Sequence, residues 1–264
     1  MPPVTSLQII IGWIREIFLI LFVILIYIPG LFLRFKKTET GHRKQIVIAS
    51  DFGCTGPLYY FLRKRFMEAG FPVFLFSGHR VWKDIRTTAR DLAIELEEWN
   101  IQDGILIGHG MGSLVAIALP DSARRRISHL ISLGSPFHGT RLLIKLGFVP
   151  AFRDMSVGSE FLLLNRMNAL LFPSFTPFIA WKDQWIVPGT LANFGQGRDL
   201  IFDRLGHYML VFDKGNIETL LEFVDSEYSE PKTAVEMAQK KIPATKPAPA
   251  SKKKATKKKA AKKR

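Results

Sequence analysis

The sequence predicts an α/β domain, with a mostly parallel sheet that is covered by helices on both faces. Three observations predict this class. Short apolar runs typical of buried strands alternate with segments of helical period. One of these runs leads through a glycine-rich turn into an apolar helix. The length of 264 residues suits one domain of moderate size with additional segments at its ends.

The first element is an apolar N-terminal run. It is interrupted only by Gln8 and by Arg15 and Glu16, and its charge-free part, Ile17–Leu33, has 17 residues. As a helix this part would be about 26 Å long, close to a hydrocarbon core of roughly 30 Å. Basic residues follow the run, which favours a single-pass anchor with the main domain on the cytoplasmic side. Residues 1–44 are therefore predicted to be a membrane anchor with a basic flank.

Other arrangements of this run remain open. A longer helix that includes Arg15 and Glu16 would require these side chains to pair or to snorkel. The run is also compatible with an apolar helix that packs on the domain or lies in the membrane interface. A cleaved signal peptide is less favoured, because no small-x-small cleavage site follows the run.

Residues 45–230 hold the alternating elements of the main domain. Asp84 is a candidate N-cap, Pro57 suits a first helical turn, and Gly70 a helix end. The predicted strands are Gln45–Ser50, Pro72–Ser77, Ile105–Gly108, His129–Leu133, Phe178–Trp181 and Asp199–Phe202. The predicted helices are Pro57–Ala69, Asp84–Trp99, Met111–Leu119 and Asn216–Val224.

The last segment, residues 231–264, carries most of the charge. It has 13 Lys or Arg and one acidic residue, a charge of +12, out of a formal net charge of +14 for the whole chain. Because the body carries only +2, the basic composition does not indicate a nucleic-acid-binding domain. The Lys/Ala/Pro-rich segment is predicted to be disordered. Lys252–Arg264 is a candidate for binding DNA, RNA, anionic lipid or an acidic protein without sequence readout, and the alternative is a solubilising tail with no dedicated partner.

The most informative stretch is residues 105–116, ILIGHGMGSLVA. A strand that enters a Gly-x-Ser-x-Gly turn and then a helix is the setting of a nucleophile elbow. Gly108 and Gly112 provide the small flanking residues, but the central residue is Gly110, which has no hydroxyl. Glycine adopts a positive φ without steric cost, so a strain of about 1–3 kcal/mol is relieved. The turn is therefore favoured while its nucleophile is absent.

On these residues the chain resembles bacterial lipases and esterases of the α/β-hydrolase fold over about residues 45–225. Four blocks carry the resemblance: QIVIASDFG at 45–53, GHGMGSLVA at 108–116, LGSPFHGT at 133–140, and DQWIVP at 183–188 with LGH at 205–207. The stretch 155–166 is also similar to the segment between lid and acid strand. The resemblance implies the α/β-hydrolase fold, with helices on both faces of the sheet.

The resemblance also implies the roles of the site residues. His207 is the expected histidine, and Gly110 stands at the nucleophile position. The acid is either Asp183 or Gln184, since Gln184 occupies the usual acid position and Asp183 lies one residue early. The oxyanion donors would be the backbone N–H groups of Phe52 and Met111.

The predicted ligand pocket contains Asp51, Phe137 and His138. A carboxylate at Asp51 beside the oxyanion donors would disfavour a developing oxyanion. His109 is expected to pack, and for His138, in the Pro-Phe-His-Gly-Thr turn, a structural role is favoured over contact with a ligand. The alternative nucleophiles near the elbow are Cys54, Ser50 and Ser113.

No cofactor is expected, and the spacing of His, Cys and acidic residues predicts no metal site. The single cysteine excludes a disulfide framework. The sequence thus favours a membrane-anchored, non-catalytic hydrolase domain that binds a lipid or acyl ligand or a partner protein. The alternatives are a weak or unconventional ester hydrolase, and a tether between membrane and polyanion.

Overall fold

The structure is a computed structural model and describes residues 5–32, 41–77, 83–196, 199–202 and 205–228. The basic flank at 34–37 and the tail at 231–264 lie outside these residues, and so do the predictions made for them. The N-terminal helix α1, Ser6–Phe32, has 27 residues and includes Arg15 and Glu16. It is long and apolar enough to cross a membrane, with a mean hydropathy of 2.7 in its most apolar window.

Six strands form one sheet in the order β2-β1-β3-β4-β5-β6, and all their pairings are parallel. The predicted strands are confirmed, with changes at their ends. Their bounds are Ile46–Ala49 (β1), Val73–Phe76 (β2), Gly104–His109 (β3), Ile127–Leu133 (β4), Ser174–Ala180 (β5) and Leu200–Phe202 (β6).

The four predicted helices of the domain are also present. Asp84 caps its helix as predicted, since its side chain accepts a hydrogen bond from the backbone N–H of Thr87 at 2.7 Å. These helices are Tyr60–Glu68 (α2, preceded by a 3-10 turn at Gly56–Tyr59), Ile85–Glu98 (α3), Met111–Ile117 (α4) and Lys214–Tyr228, which is α9 in chain order.

Several shorter helices were not predicted, because four to six residues are too few to show a helical period. They are Asp121–Arg124 (α5), Pro150–Met155 (α6), Glu160–Asn165 (α7) and Met209–Phe212 (α8), with 3-10 turns at Ile144–Leu146, Arg166–Leu171 and Gly189–Ala192. About half of the region between β4 and β5 lies in α6, α7 and two of these 3-10 turns.

The parallel sheet positions the candidate site. The carboxyl ends of all its strands lie at one edge, where ligand sites of open α/β sheets form. Asp51 follows β1 closely, Gly110 follows β3 directly, and Asp183 follows β5. Because β1 and β3 are neighbours in the sheet, the loops that follow them lie side by side.

Candidate functional site

The turn between β3 and α4 has the geometry predicted for a nucleophile elbow. Gly110 has φ +51° and ψ −116°, in the region that favours glycine. The flanking glycines permit close packing, because a Cβ on Gly112 would lie 2.1 Å from the carbonyl oxygen of Ala49. The turn thus has the shape of a nucleophile elbow with a glycine at its centre.

The carboxylate of Asp51 occupies the space beside the vacant side-chain position. A Cβ on Gly110 would lie 2.1 Å from Asp51 Oδ1 and 2.3 Å from its Cγ. Oδ1 accepts a hydrogen bond of 2.6 Å from the backbone N–H of Met111. That N–H is one of the two oxyanion donors implied by the resemblance, so the protein's own carboxylate takes the place of a developing oxyanion.

His207 lies between two carboxylates. Its Nδ1 is 2.6 Å from Asp183 Oδ2, and its Nε2 is 3.0 Å from Asp51 Oδ2. Since both partners are acceptors, both ring nitrogens must donate, which requires an imidazolium. All three side chains are largely buried. Two anions and one cation leave the cluster with a net charge of −1.

The pKa values agree with this assignment. Burial alone would lower the pKa of His207, but the charge of Asp183 and the hydrogen bonds to both carboxylates raise it well above its usual range. Burial alone would raise the pKa of Asp51, but His207 and the Met111 N–H hold it below its usual value. Together with the two hydrogen bonds, this raised pKa favours the imidazolium form of His207.

The structure brings Asp183, rather than Gln184, into contact with the imidazole. The other carboxylate oxygen of Asp183 accepts from the backbone N–H of Trp185 at 2.8 Å. Gln184 instead supports the loop, because its Oε1 accepts from the backbone N–H of His207 at 3.1 Å. Its Nε2 donates to Glu16 of α1 at 2.5 Å.

Glu16 is a site residue that the sequence analysis did not place. It is fully buried, and its carboxylate accepts from the backbone N–H groups of Tyr208 and Met209 at 2.8 and 3.3 Å. These N–H groups directly follow His207 in the chain. The only signal in the sequence was an acidic residue within an apolar helix, and it neither snorkels nor pairs with Arg15 in any described contact.

His109 has the packing role that the sequence predicted. The Tyr59 hydroxyl lies 2.9 Å from its Nδ1, its Nε2 lies 3.2 Å from the carbonyl oxygen of His207, and its ring stacks on that of His207. Burial, followed by the charge of His207, lowers the pKa of His109 to about 4, so it is neutral.

Asp51, His109 and His207 place potential metal-ligand atoms within 4.8 Å of one another. The spacing in the sequence did not predict this cluster. However, the two imidazole planes are only 29° from parallel, and lone pairs in stacked planes do not converge on one ion. The same atoms also form the hydrogen bonds described above. The arrangement therefore fits a hydrogen-bond network better than a metal site.

A cavity of about 210 Å³ opens at this cluster. Its walls are mainly apolar. The lining residues are Asp51, Phe52, Gly110, Met111, Pro136, Thr140, Leu143, Phe152, Met155, Trp185, Ile186, His207 and Tyr208.

The predicted pocket residues Phe137 and His138 are not among those that line this cavity, which corrects the sequence analysis. The ring of Phe137 packs in the core against Phe175 and Phe194. His138 lies close to the carbonyl oxygen of Phe194 and to the guanidinium of Arg166. The turn that follows β4 therefore exposes Pro136 and Thr140 to the cavity instead.

The alternative nucleophiles do not line the cavity either. Cys54 is buried, and burial together with the charge of Asp51 raises the pKa of its thiol well above the usual range. The hydroxyl of Ser113 is buried and donates to the carbonyl oxygen of Gly108 at 2.7 Å. Ser50 is buried beside Asp51. None of the three is positioned to attack a ligand in the cavity.

We expect His207 to remain protonated in the native protein above pH 7. An unfolded histidine loses its proton near pH 6.5. The stabilisation from His207 is thus complete below that pH and declines as pH rises through the raised native pKa. The stabilisation from Asp51 is complete above about pH 3.9 and is lost as pH falls through its lowered pKa. Histidine-selective ¹⁵N NMR against pH measures the imidazolium directly.

The matched control is Asp51→Asn, which retains the shape but removes one anion and is expected to move the His207 titration to lower pH. Titration of His207 near pH 6.5 in the unmodified protein would contradict the assignment of the imidazolium.

Known structures resemble this fold. A monoacylglycerol lipase from Paleococcus ferrophilus matches with a TM-score of 0.54 and 15% identity, over 72% of this chain and 97% of that one. A Bacillus licheniformis lipase in mature form matches with a TM-score of 0.56 and 14% identity, over 72% and 96%. An α/β-hydrolase enzyme from a lagoon-sediment metagenome of Mar Chica, Morocco, matches with a TM-score of 0.53 and 16% identity, over 71% and 93%.

No family model matches the chain, and no curated protein matches its sequence. At these identities the structural likeness shows the fold, and the chain accordingly has the α/β-hydrolase fold predicted from its motifs.

Proposed function

We propose that this chain is a membrane-associated, non-catalytic α/β-hydrolase domain whose cavity binds a lipid. The observation that carries the proposal is the carboxylate of Asp51, which lies where an attacking hydroxyl would need to be. The lipases among the proteins of similar fold suggest a lipid rather than another ligand. The apolar helix α1 supports a location at a membrane.

Ester hydrolysis by this fold needs a nucleophile, a base and free oxyanion donors. Gly110 provides no nucleophile. His207 is held as an imidazolium and provides no base. The Met111 N–H already binds Asp51. The nucleophile, the base and one oxyanion donor are therefore all affected around the carboxylate of Asp51, which favours ligand binding over ester turnover.

The charges of the cavity indicate the class of lipid. A fatty-acid anion would meet the net negative charge of the Asp51–His207–Asp183 cluster in a poorly solvated space. A hydroxyl group, by contrast, can donate to Asp51. The buried indole N–H of Trp185, a residue that lines the cavity, has no hydrogen-bond partner among the described residues and would be satisfied by a ligand oxygen that reaches it. A neutral lipid with a hydroxyl, such as a fatty alcohol or a monoacylglycerol, fits these groups.

We expect the full chain in non-ionic detergent to bind dodecanol at least about tenfold more tightly than dodecanoate, because the negatively charged cluster repels the carboxylate of dodecanoate. A tenfold ratio of the two Kd values corresponds to about 1.4 kcal/mol. Displacement of a fluorescent monoacylglycerol measures both ligands. The Asp51→Asn variant has one negative charge fewer in the cluster, so the ratio of the dissociation constants of dodecanoate and dodecanol is expected to be smaller. Equal displacement by both ligands would contradict the assigned ligand class.

In the same preparation, the unmodified protein is expected to turn over p-nitrophenyl octanoate no faster than the His207→Ala variant does. Turnover that His207→Ala abolishes would favour the alternative, an ester hydrolase. The Asp183–His207 contact favours that alternative, with Asp51 as the attacking group. Its carboxylate would attack the ester carbonyl to form a mixed anhydride, and the alcohol would leave with a proton from His207. Water would then attack Cγ of Asp51 and give a proton to His207, which releases the acid and leaves one oxygen of that water on Asp51. Hydrolysis in H₂¹⁸O would then label Asp51.

Two further proposals come from the sequence. The first places the domain on the cytoplasmic side of the membrane, for which the sequence analysis expected a single-pass anchor. The second gives Lys252–Arg264 a polyanion as partner, so that the chain would also act as a tether. Both depend on basic segments outside the described residues. The contacts of α1 favour a different membrane arrangement, argued next.

A further inference from the structure

We infer that α1 lies flat on the membrane rather than crossing it, and that α1 and the loop at residues 141–153 form one surface that docks on an anionic bilayer. This docking surface does not depend on whether the cavity binds a lipid.

The first argument is the length of α1 that contacts the domain. Gly12 lies against Leu205, Glu16 is buried, and Gly30 lies against Thr55. Residues 12 and 30 are about 27 Å apart along a helix, close to the roughly 30 Å of a hydrocarbon core. A crossing helix would need this stretch inside the hydrocarbon, and the polar domain would have to enter with it.

The second argument is the opposite face of the helix. The buried residues of α1 recur at spacings of three, four and seven, as expected for one helical face. They are Glu16, Leu19, Val23 and Gly30. The other face exposes large apolar side chains along its whole length, namely Leu7, Ile10, Ile11, Ile14, Ile17, Phe18, Leu21, Ile24, Leu25, Ile28 and Phe32. A continuous apolar surface of this kind requires a covering partner.

The third argument is continuity with the domain. An open groove of about 370 Å³ is lined on one side by Val23, Ile24 and Tyr27 of α1, and on the other by Val149 and Phe152. The apolar face of α1 therefore continues across the groove to the loop that contains Val149. The exposed apolar residues of this loop are Leu142, Ile144, Leu146 and Phe148.

The charge of the loop selects a bilayer with anionic lipid as the partner. Residues 141–153 contain Arg141, Lys145 and Arg153, all exposed. Arg153 pairs with Asp154 at 3.9 Å, so the net positive charge of the loop comes from Arg141 and Lys145. Cations interleaved with exposed apolar side chains are typical of surfaces that insert at the level of lipid headgroups. A second copy of the chain would bring these cations against one another, which is unfavourable.

The surface also leads to the candidate site. Phe52 and Phe152 line both the groove and the cavity at Asp51, and their ring centroids are 4.3 Å apart. A lipid that leaves the bilayer at the groove would meet these two rings before the cavity. The docked orientation thus places the entrance of the cavity at the membrane.

The experiment uses the full chain with Cys54→Ala, which removes the buried native thiol, in vesicles of phosphatidylcholine and phosphatidylglycerol. A membrane-impermeant maleimide tests Ser6→Cys at the start of α1 against Ser226→Cys, which is exposed on α9. We expect both to be labelled from the same side of the membrane, before any permeabilisation. Labelling from opposite sides would show a crossing helix and overturn the proposal.

A second measurement tests the loop. A fluorophore at Phe148→Cys is expected to be quenched by lipids with a spin label in the acyl chain at least about twofold more than one at Ser226→Cys. Equal quenching at the two positions would overturn the loop's part in the surface. A dimer that does not bind the vesicles would show that a second copy covers the face, and would overturn the choice of partner.

Discussion

The double variant Asp51→Gly with Gly110→Ser is expected to hydrolyse esters, whereas Gly110→Ser alone is not. In the single variant the new Cβ lies within 2.1–2.8 Å of three atoms of the Asp51 carboxyl group, so the side chain has no space. The glycine at position 51 removes that group and frees the Met111 N–H for an oxyanion. It also leaves His207 with Asp183 as its one carboxylate partner, so that Nε2 can accept a proton from serine.

Labelling by a fluorophosphonate and turnover of p-nitrophenyl esters measure this gain. Because one oxyanion donor is worth about 10²–10³-fold, the double variant should exceed the single variant by at least that factor. Asp51→Gly alone is the matched control, and adding His207→Ala should remove the gain. If Gly110→Ser alone is labelled as strongly as the double variant, the carboxylate does not block the elbow.

Glu16→Leu is expected to lower the free energy of unfolding by about 3 kcal/mol or more. The substitution leaves the buried backbone N–H groups of Tyr208 and Met209 without their acceptor, at about 1–3 kcal/mol for each. It also removes the acceptor of the half-buried amide of Gln184. Thermal unfolding of the full chain in detergent, followed by near-ultraviolet circular dichroism, measures the loss. The near-isosteric Glu16→Gln keeps one acceptor oxygen and should lose less.

Ile17→Leu is the matched control for Glu16→Leu, because its side chain lies on the exposed face of α1 and the change conserves volume. It should leave stability unchanged. Equal losses for both variants would show that Glu16 does not connect α1 to the loop that contains His207.

The strands, the main helices and the elbow could be predicted because local sequence determines them. The strands are short apolar runs, Asp84 caps α3 directly, and the three glycines from 108 to 112 fit only a tight turn. The position of Asp51 near the oxyanion donors followed from the resemblance. Its contact with His207 did not, because that contact joins residues 156 positions apart in the chain.

The contacts of Glu16 show the same limit. Its hydrogen bond to Tyr208 joins residues 192 positions apart, so that no periodicity or spacing could predict it. The sequence shows only an acidic residue in an apolar helix and not its partners. It could therefore predict a helix long enough to span a membrane, but not the contact of Glu16 with the loop that contains His207. The pocket residues in the turn after β4 were misplaced for a similar reason, since the direction of their side chains depends on contacts with Phe175 of β5 and with Phe194, which lie far along the chain.

The burial of Glu16 has a practical consequence for anyone who purifies this protein. Removing the apolar N-terminus would make the chain easier to handle in water. It would also uncover Leu205, Phe212 and Thr55, and leave the loop with His207 without the acceptor that holds it. Failure of such a truncated form to bind a ligand would report on damage to the preparation rather than on the native cavity.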